Sequence, residues 1–147
     1  KNKKKKSMYR TVFEIIYLLS ILYLCRHYHK LFMNVVKNRR NTKTSIGFKN
    51  QELERAIRAH ANFCETVPLI IILSFILYFN NLLFFSVSSL IILSIGRTIH
   101  SKAISSINED LAKRRLGMRL TFFSMFVSIL GIFYYILTLI YFAYSIN

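Results

Sequence analysis

The apolar residues of this chain arrive in blocks close to twenty residues long, and that spacing constrains the fold more than any other feature. An α-helix rises about 1.5 Å per residue, so roughly 20 apolar residues cross a hydrocarbon core about 30 Å thick. A soluble domain would interrupt such runs every few residues with polar groups facing water. The blocks read as membrane helices over residues 11–36, 59–79, 82–100 and 120–146. Of the 147 residues 54% are apolar and 18% charged, and the mean hydropathy of +0.38 agrees with that reading. The expected fold is all-α: an integral membrane four-helix bundle over residues 11–147, preceded by a basic N-terminal tail over residues 1–10.

The net charge of +15 would suggest a nucleic-acid partner in a soluble chain. Here the charge is confined to the segments between the apolar blocks, which points to cytoplasmic loops and away from nucleic acid. Lys37, Arg39, Arg40, Lys43, Lys49, Arg55 and Arg58 surround the first loop, and Lys102, Lys113, Arg114, Arg115 and Arg119 surround the third. Together they outnumber Lys1, Lys3, Lys4, Lys5, Lys6 and Arg10 on the opposite side, so the two long loops are expected in the cytoplasm. The lysine run runs against this count. It also opens a rival reading of residues 1–25 as a signal peptide, but no small-residue cleavage site follows and Leu24 is too large to precede a lipoprotein cysteine. Arg26, His27, His29 and Lys30 follow the apolar part of the first block, where long side chains can snorkel to the interface or face neighbouring helices.

Ionisable groups at membrane depth cost roughly 2.5 to 3.5 kcal/mol on insertion scales, so they face a partner or a cavity. Glu65 is the one that demands a reason. Steps of four and three residues place Arg58, Asn62 and Glu65 on one helical stripe. That stripe offers a cation, an amide and a carboxylate in sequence, suited to a zwitterionic ligand with a carboxylate, a peptide group and an ammonium. An internal network, with Glu65 paired to an arginine of another helix, fits the same spacing. The third block ends in Gly96, Arg97 and His100, and Arg114, Arg115 and Arg119 precede the fourth. Neighbouring positive charge of this kind lowers the pKa of a bound thiol. Arg119 reads more simply as a lipid-headgroup contact.

Several chemistries have no foothold. Cys25 and Cys64 lie in apolar stretches without CxxC spacing, His27 and His29 point to different faces, and no HExxH occurs, so no metal site is expected. No glycine-rich phosphate loop and no GxSxG elbow is present.

The segment from Glu54 to Pro68, ERAIRAHANFCETVP, resembles the second-helix motif RAHxNxxETxP of the MAPEG family, the membrane-associated proteins in eicosanoid and glutathione metabolism. The basic residues after the first helix, Gly47 in the loop that follows them, Gly96-Arg97-Thr98-Ile99-His100 and the arginines before the fourth helix add to the resemblance, which extends over nearly the whole of residues 11–146. It is nearest to the prostaglandin E synthase-like and little-characterised prokaryotic members. The resemblance implies a homotrimer of four-helix bundles with glutathione bound between subunits near the cytoplasmic face. It assigns Arg58, Asn62 and Glu65 to glutathione, adds Arg97 and His100, and maps the thiolate-stabilising arginine to Arg115 or Arg114, with Arg115 favoured. Lys37 stands where a first-helix arginine reaches the neighbouring subunit's ligand.

Two departures narrow what this implies. Ala61 stands where the prostaglandin E synthase branch carries arginine, and Ile104 where several of the enzymes carry tyrosine. The expectation is a glutathione-dependent transferase or peroxidase acting on small lipophilic electrophiles such as lipid hydroperoxides, in a bacterial inner membrane or a eukaryotic endomembrane. The alternative is a non-catalytic relative that binds glutathione or lipid.

Overall fold

The structure, a computed structural model, describes residues 2–145, and the side chains from residue 7 onward. The side chains of the lysine run and the final residue of the fourth expected span, Ile146, lie outside the described residues. Four helices follow in order: α1 (Asn2–Thr42), α2 (Gln51–Phe79), α3 (Leu83–Ser105) and α4 (Leu111–Ser145). Each is long and apolar enough to cross a membrane. All four expected spans are present, and the helices run past them at the basic end, because hydropathy ends at the interface whereas backbone hydrogen bonding does not. α1 begins inside the segment expected as a basic tail.

The connections are short and specified by polar residues. Asn50 caps α2 by accepting the Leu53 N–H at 2.9 Å, and Glu52 and Glu54 complement the dipole of its first turn. The α1–α2 loop turns at Gly47, whose φ of 75° suits glycine, and Arg39 donates to the Ser45 carbonyl at 2.9 Å. Asn81 takes a φ of 61° in the tight α2–α3 turn, a conformation asparagine tolerates. Asp110 accepts the Lys113 N–H at 3.0 Å and so starts α4. Pro68 lies inside α2, whose helix continues on both sides of it.

α3 is the hub. It packs against all three other helices, α2 touches the outer two as well, and α1 and α4 do not meet. Leu24, Leu31, Ala59, Phe63, Val67, Ile70, Leu90 and Leu93 form the core. The outward faces are as apolar as the core, with Leu18, Leu22, Phe75, Phe84, Phe126 and Phe133 all exposed. An apolar exterior of this extent requires lipid as its solvent. The chain is an integral multi-pass membrane protein.

Small residues bring α3 and α4 close. A Cβ on Gly117 would stand 2.6 Å from the His100 backbone N, and one on Gly96 would stand 2.9 Å from the Leu120 Cβ. Serines then join the helices where the backbones approach. Ser86 donates to the Ser74 carbonyl at 2.9 Å, Ser124 donates to the Ser89 carbonyl at 2.8 Å, and the Ser89 and Ser128 hydroxyls are 2.7 Å apart. Small side chains at a close seam with hydroxyls paired across it are how helices associate in lipid, where apolar burial alone gives no advantage.

Candidate functional site

At the basic end of the bundle the packing changes character. Arg97 on α3 is fully buried, with 0% of its surface exposed, and none of its guanidinium nitrogens has a hydrogen-bond partner among the described residues. His100, one turn further on, is buried too. Its Nδ1 lies 3.1 Å from the Arg114 carbonyl, which ties α3 to the first turn of α4, while its Nε2 has no partner. Polar groups this deeply buried are normally paired, and an unpaired charge is the costliest exception.

Opposite charge is near at hand. Glu65 on α2 acts electrostatically on Arg97 without reaching it in an ion pair among the described residues. Its carboxylate is exposed on the α2–α4 face and lines a narrow cleft of about 60 Å³ with Thr66, Thr121 and Phe122. Asn62 and Arg58 continue the same stripe of α2. Asn62 donates one amide hydrogen to the Arg58 carbonyl at 2.9 Å, leaving its other hydrogen-bonding capacity for a ligand, and Arg58 is exposed.

A clasp of charges closes the basic end of this face. Glu109, in the α3–α4 connection, accepts from Arg55 at 3.2 Å and from Arg114 at 2.7 Å, and Arg55 also donates to the Ile104 carbonyl at 3.2 Å. A cavity of about 170 Å³ opens beside it, lined by these residues together with Arg58. Burial opposes the charge on Glu109, but the hydrogen bonds and positive charges of Arg114 and Arg55 outweigh it and hold the carboxyl below the ordinary carboxylate value. Arg115 makes no hydrogen bond or ion pair among the described residues. It lines a separate cavity of about 350 Å³ with His100, Arg114 and Met118.

The sequence candidates therefore fall into connected groups with one outlier. Arg58, Asn62 and Glu65 share a face of α2; Arg97 and His100 stand behind it; Arg114 and Arg115 flank His100. Lys37 is apart, on α1, where it lines a cavity between α1 and α3. Arg55 and Glu109 were not singled out from sequence. The available signal was that Glu109 and Asp110 are the only acidic residues in a loop otherwise flanked by cations. Among the described residues no group of His, Cys, Asp and Glu could hold a metal ion.

Compared with known proteins, the chain matches the model of the MAPEG family over residues 15–134. No curated protein matches it in sequence. The match takes in α2 and α3, most of α1 and α4, and every residue of the groups just described, and the chain belongs to the MAPEG family.

Proposed function

We propose, from this membership, that the chain is a glutathione-dependent membrane transferase or peroxidase acting on small lipophilic electrophiles, lipid hydroperoxides among them, and that it works as a homotrimer with its basic loops in the cytoplasm. The observation that carries the reading is Arg97, a buried cation whose guanidinium nitrogens all lack a partner within the protomer. Such a group is stabilised by an anion from outside the chain, and glutathione offers two carboxylates.

The remaining groups suit the rest of that molecule. Arg58 would take a carboxylate, Asn62 a peptide group and Glu65 the ammonium, while Arg97, sealed behind them, would act on the anion through its charge, with the His100 Nε2 as a further hydrogen-bonding group at that end. Lys37 would serve the site of a neighbouring subunit, because in its own protomer it lies on the α1–α3 side. Glutathione supplies the thiol. Its cysteine has an ordinary pKa near about 8.5, so a nearby cation is needed to hold it ionised at neutral pH. Arg114 is engaged by Glu109, whereas Arg115 has no such partner among the described residues, which favours Arg115 for that task.

The competing reading, a binding protein without turnover, draws on Ile104. It is buried at the position where a phenol would donate to the thiol. Turnover of a generic electrophile by the purified protein separates the two. We expect glutathione-dependent turnover, and in Arg115→Ala a bound thiol whose pKa returns toward its free value with a larger loss of rate than of affinity. Thiolate absorbance titrated against pH reads the first quantity. An ordinary thiol pKa in the wild-type complex would defeat the mechanism. The orientation is tested by Ser45→Cys in the α1–α2 loop: labelling only from the non-cytoplasmic side of intact cells would reverse it.

A further inference from the structure

A cavity of about 780 Å³ lies between α1 and α3, whereas the Glu65 cleft lies between α2 and α4. Its wall on α1 carries Arg26, Lys30 and Lys37, spaced by four and seven residues and so aligned along one stripe, and α3 contributes Lys102. None of these cations makes an ion pair among the described residues, and no acidic residue lines the cavity. The acids of the chain are committed elsewhere: Glu14 to Arg10, Glu109 to Arg55 and Arg114, Asp110 to Lys113. Glu65 belongs to the α2–α4 face, and Glu52 and Glu54 lie on the first turn of α2. The charge in the α1–α3 cavity has no counter-ion of its own.

The floor of the cavity is already closed. Tyr23 and Thr98 hydrogen-bond through their hydroxyls, and the His27 Nε2 lies 2.9 Å from the Ser101 Oγ, so α1 and α3 are tied together beneath the cations. Beyond Tyr23 and Thr98, which line both, a second hollow of about 450 Å³ continues along the same two helices between Ile16, Leu19, Ile91 and Ile95. One groove thus runs from a cationic mouth into an apolar channel facing the bilayer. Its length and polarity match a molecule with an anionic head and an acyl tail.

We infer that the α1–α3 groove is a binding site for an anionic phospholipid, its phosphate held by Arg26, Lys30 and Lys102 and one acyl chain lying against Leu19, Ile91 and Ile95. A basic pocket between membrane helices provides this charge complementarity, each cation near the headgroup strengthening association about fivefold. Within the protomer the groove lies on a different pair of helices from the Glu65 cleft, and Lys37, which lines it, is the one residue also proposed for a neighbouring subunit's glutathione.

Native mass spectrometry of the purified protein, titrated with phosphatidylglycerol, phosphatidylcholine or inorganic phosphate, tests it. We expect one phosphatidylglycerol retained per protomer, at least tenfold more tightly than phosphatidylcholine, with inorganic phosphate unable to compete at equal concentration. Lys102→Gln, an exposed change in the last turn of α3, should weaken retention about fivefold. The combined change Arg26→Gln, Lys30→Gln and Lys102→Gln should reduce it to the phosphatidylcholine level. Ile95→Trp, which fills the channel and leaves the cations alone, should weaken it too. Lys37 is left unaltered throughout, so failure here says nothing against its proposed part at a neighbouring subunit's ligand. Equal retention of both lipids, competition by phosphate, or unchanged retention in the Lys102→Gln and combined variants would overturn the lipid site. A change of oligomeric mass in the combined variant would overturn it as well, by assigning the groove to a second copy of the chain.

Discussion

Along α3 two kinds of buried polar residue stand barely two turns apart. Ser86 and Ser89 are buried and fully paired, each exchanging hydrogen bonds with a serine of a neighbouring helix. Arg97 and His100 are just as deeply buried, and between them only the His100 Nδ1 is paired. The difference separates scaffold from site. Short hydroxyls satisfy one another across a close seam and need nothing from outside, whereas a guanidinium sealed in the same seam without a partner is maintained against its own desolvation. Selection for stability alone would not leave it there.

The comparison makes opposed forecasts for the two ends. Arg97→Leu should weaken glutathione binding by roughly tenfold to more than a hundredfold, the span of about 1.5 to 3 kcal/mol for a lost interaction with a charged group. The same change should leave the thermal midpoint of the ligand-free protein in detergent unchanged or raised, because an apolar side chain of similar reach removes an unpaired buried charge. Calorimetry and thermal unfolding read the two effects. A midpoint that fell while affinity held would break the distinction.

Ser89→Val should do the reverse. It removes the partner of the Ser128 hydroxyl while Ser124 keeps its bond to the residue 89 carbonyl, and interhelical hydrogen bonds of this kind contribute about 0.6 to 1.7 kcal/mol. The thermal midpoint is expected to fall with glutathione affinity unaltered. Loss of affinity on the same scale as for Arg97→Leu would show that the serine seam positions the site as well as the fold.

The smallest effect belongs to Glu109, which sharpens where the site ends. Its carboxyl is held below the ordinary value in the folded protein, so the clasp contributes stability that is complete above the unfolded carboxylate pKa of about 4.3 and is lost as the pH falls through the lower, folded value. Acidification through that window should lower the thermal midpoint by no more than a few degrees, the pair being partly exposed. Glu109→Gln should remove its part of the dependence. A midpoint profile identical in wild type and variant would mean that the clasp adds nothing to the fold.

What could be read without coordinates follows from the range of the interactions. Membrane spans are legible because each is encoded by contiguous residues, and the Arg58, Asn62 and Glu65 stripe is legible because helical periodicity is local. Arg97 and His100 declared themselves as ionisable groups at the end of an apolar block. Nothing local marks Ser74, Ser89 or Ser128: a serine in a membrane helix commonly bonds its own backbone, as Ser94 does with the Leu90 carbonyl. Which serines cross to a neighbour depends on helix register, fixed between α3 and α4 by Gly96 and Gly117, residues separated in sequence that meet only in the packed bundle. Arg55 and Glu109 are similarly distant, and their pairing appears only once α2 lies beside the α3–α4 connection. The extension of α1 to Thr42 escaped hydropathy because its last turns are helical and polar together.

Pro68 has a mechanical meaning. Lacking an N–H, it cannot donate to the carbonyl of Cys64, so the ladder of α2 is short of a rung immediately beyond Glu65. A rod with one weakened section bends there first. The stiffness of α2 is thereby divided between a segment bearing Arg58, Asn62 and Glu65, held by Phe63 in the core and by Arg55 at the clasp, and a segment joined to α3 through Ser74. A small rotation at that elbow would carry the carboxylate of Glu65 sideways past the guanidinium of Arg97 without disturbing the serine seam.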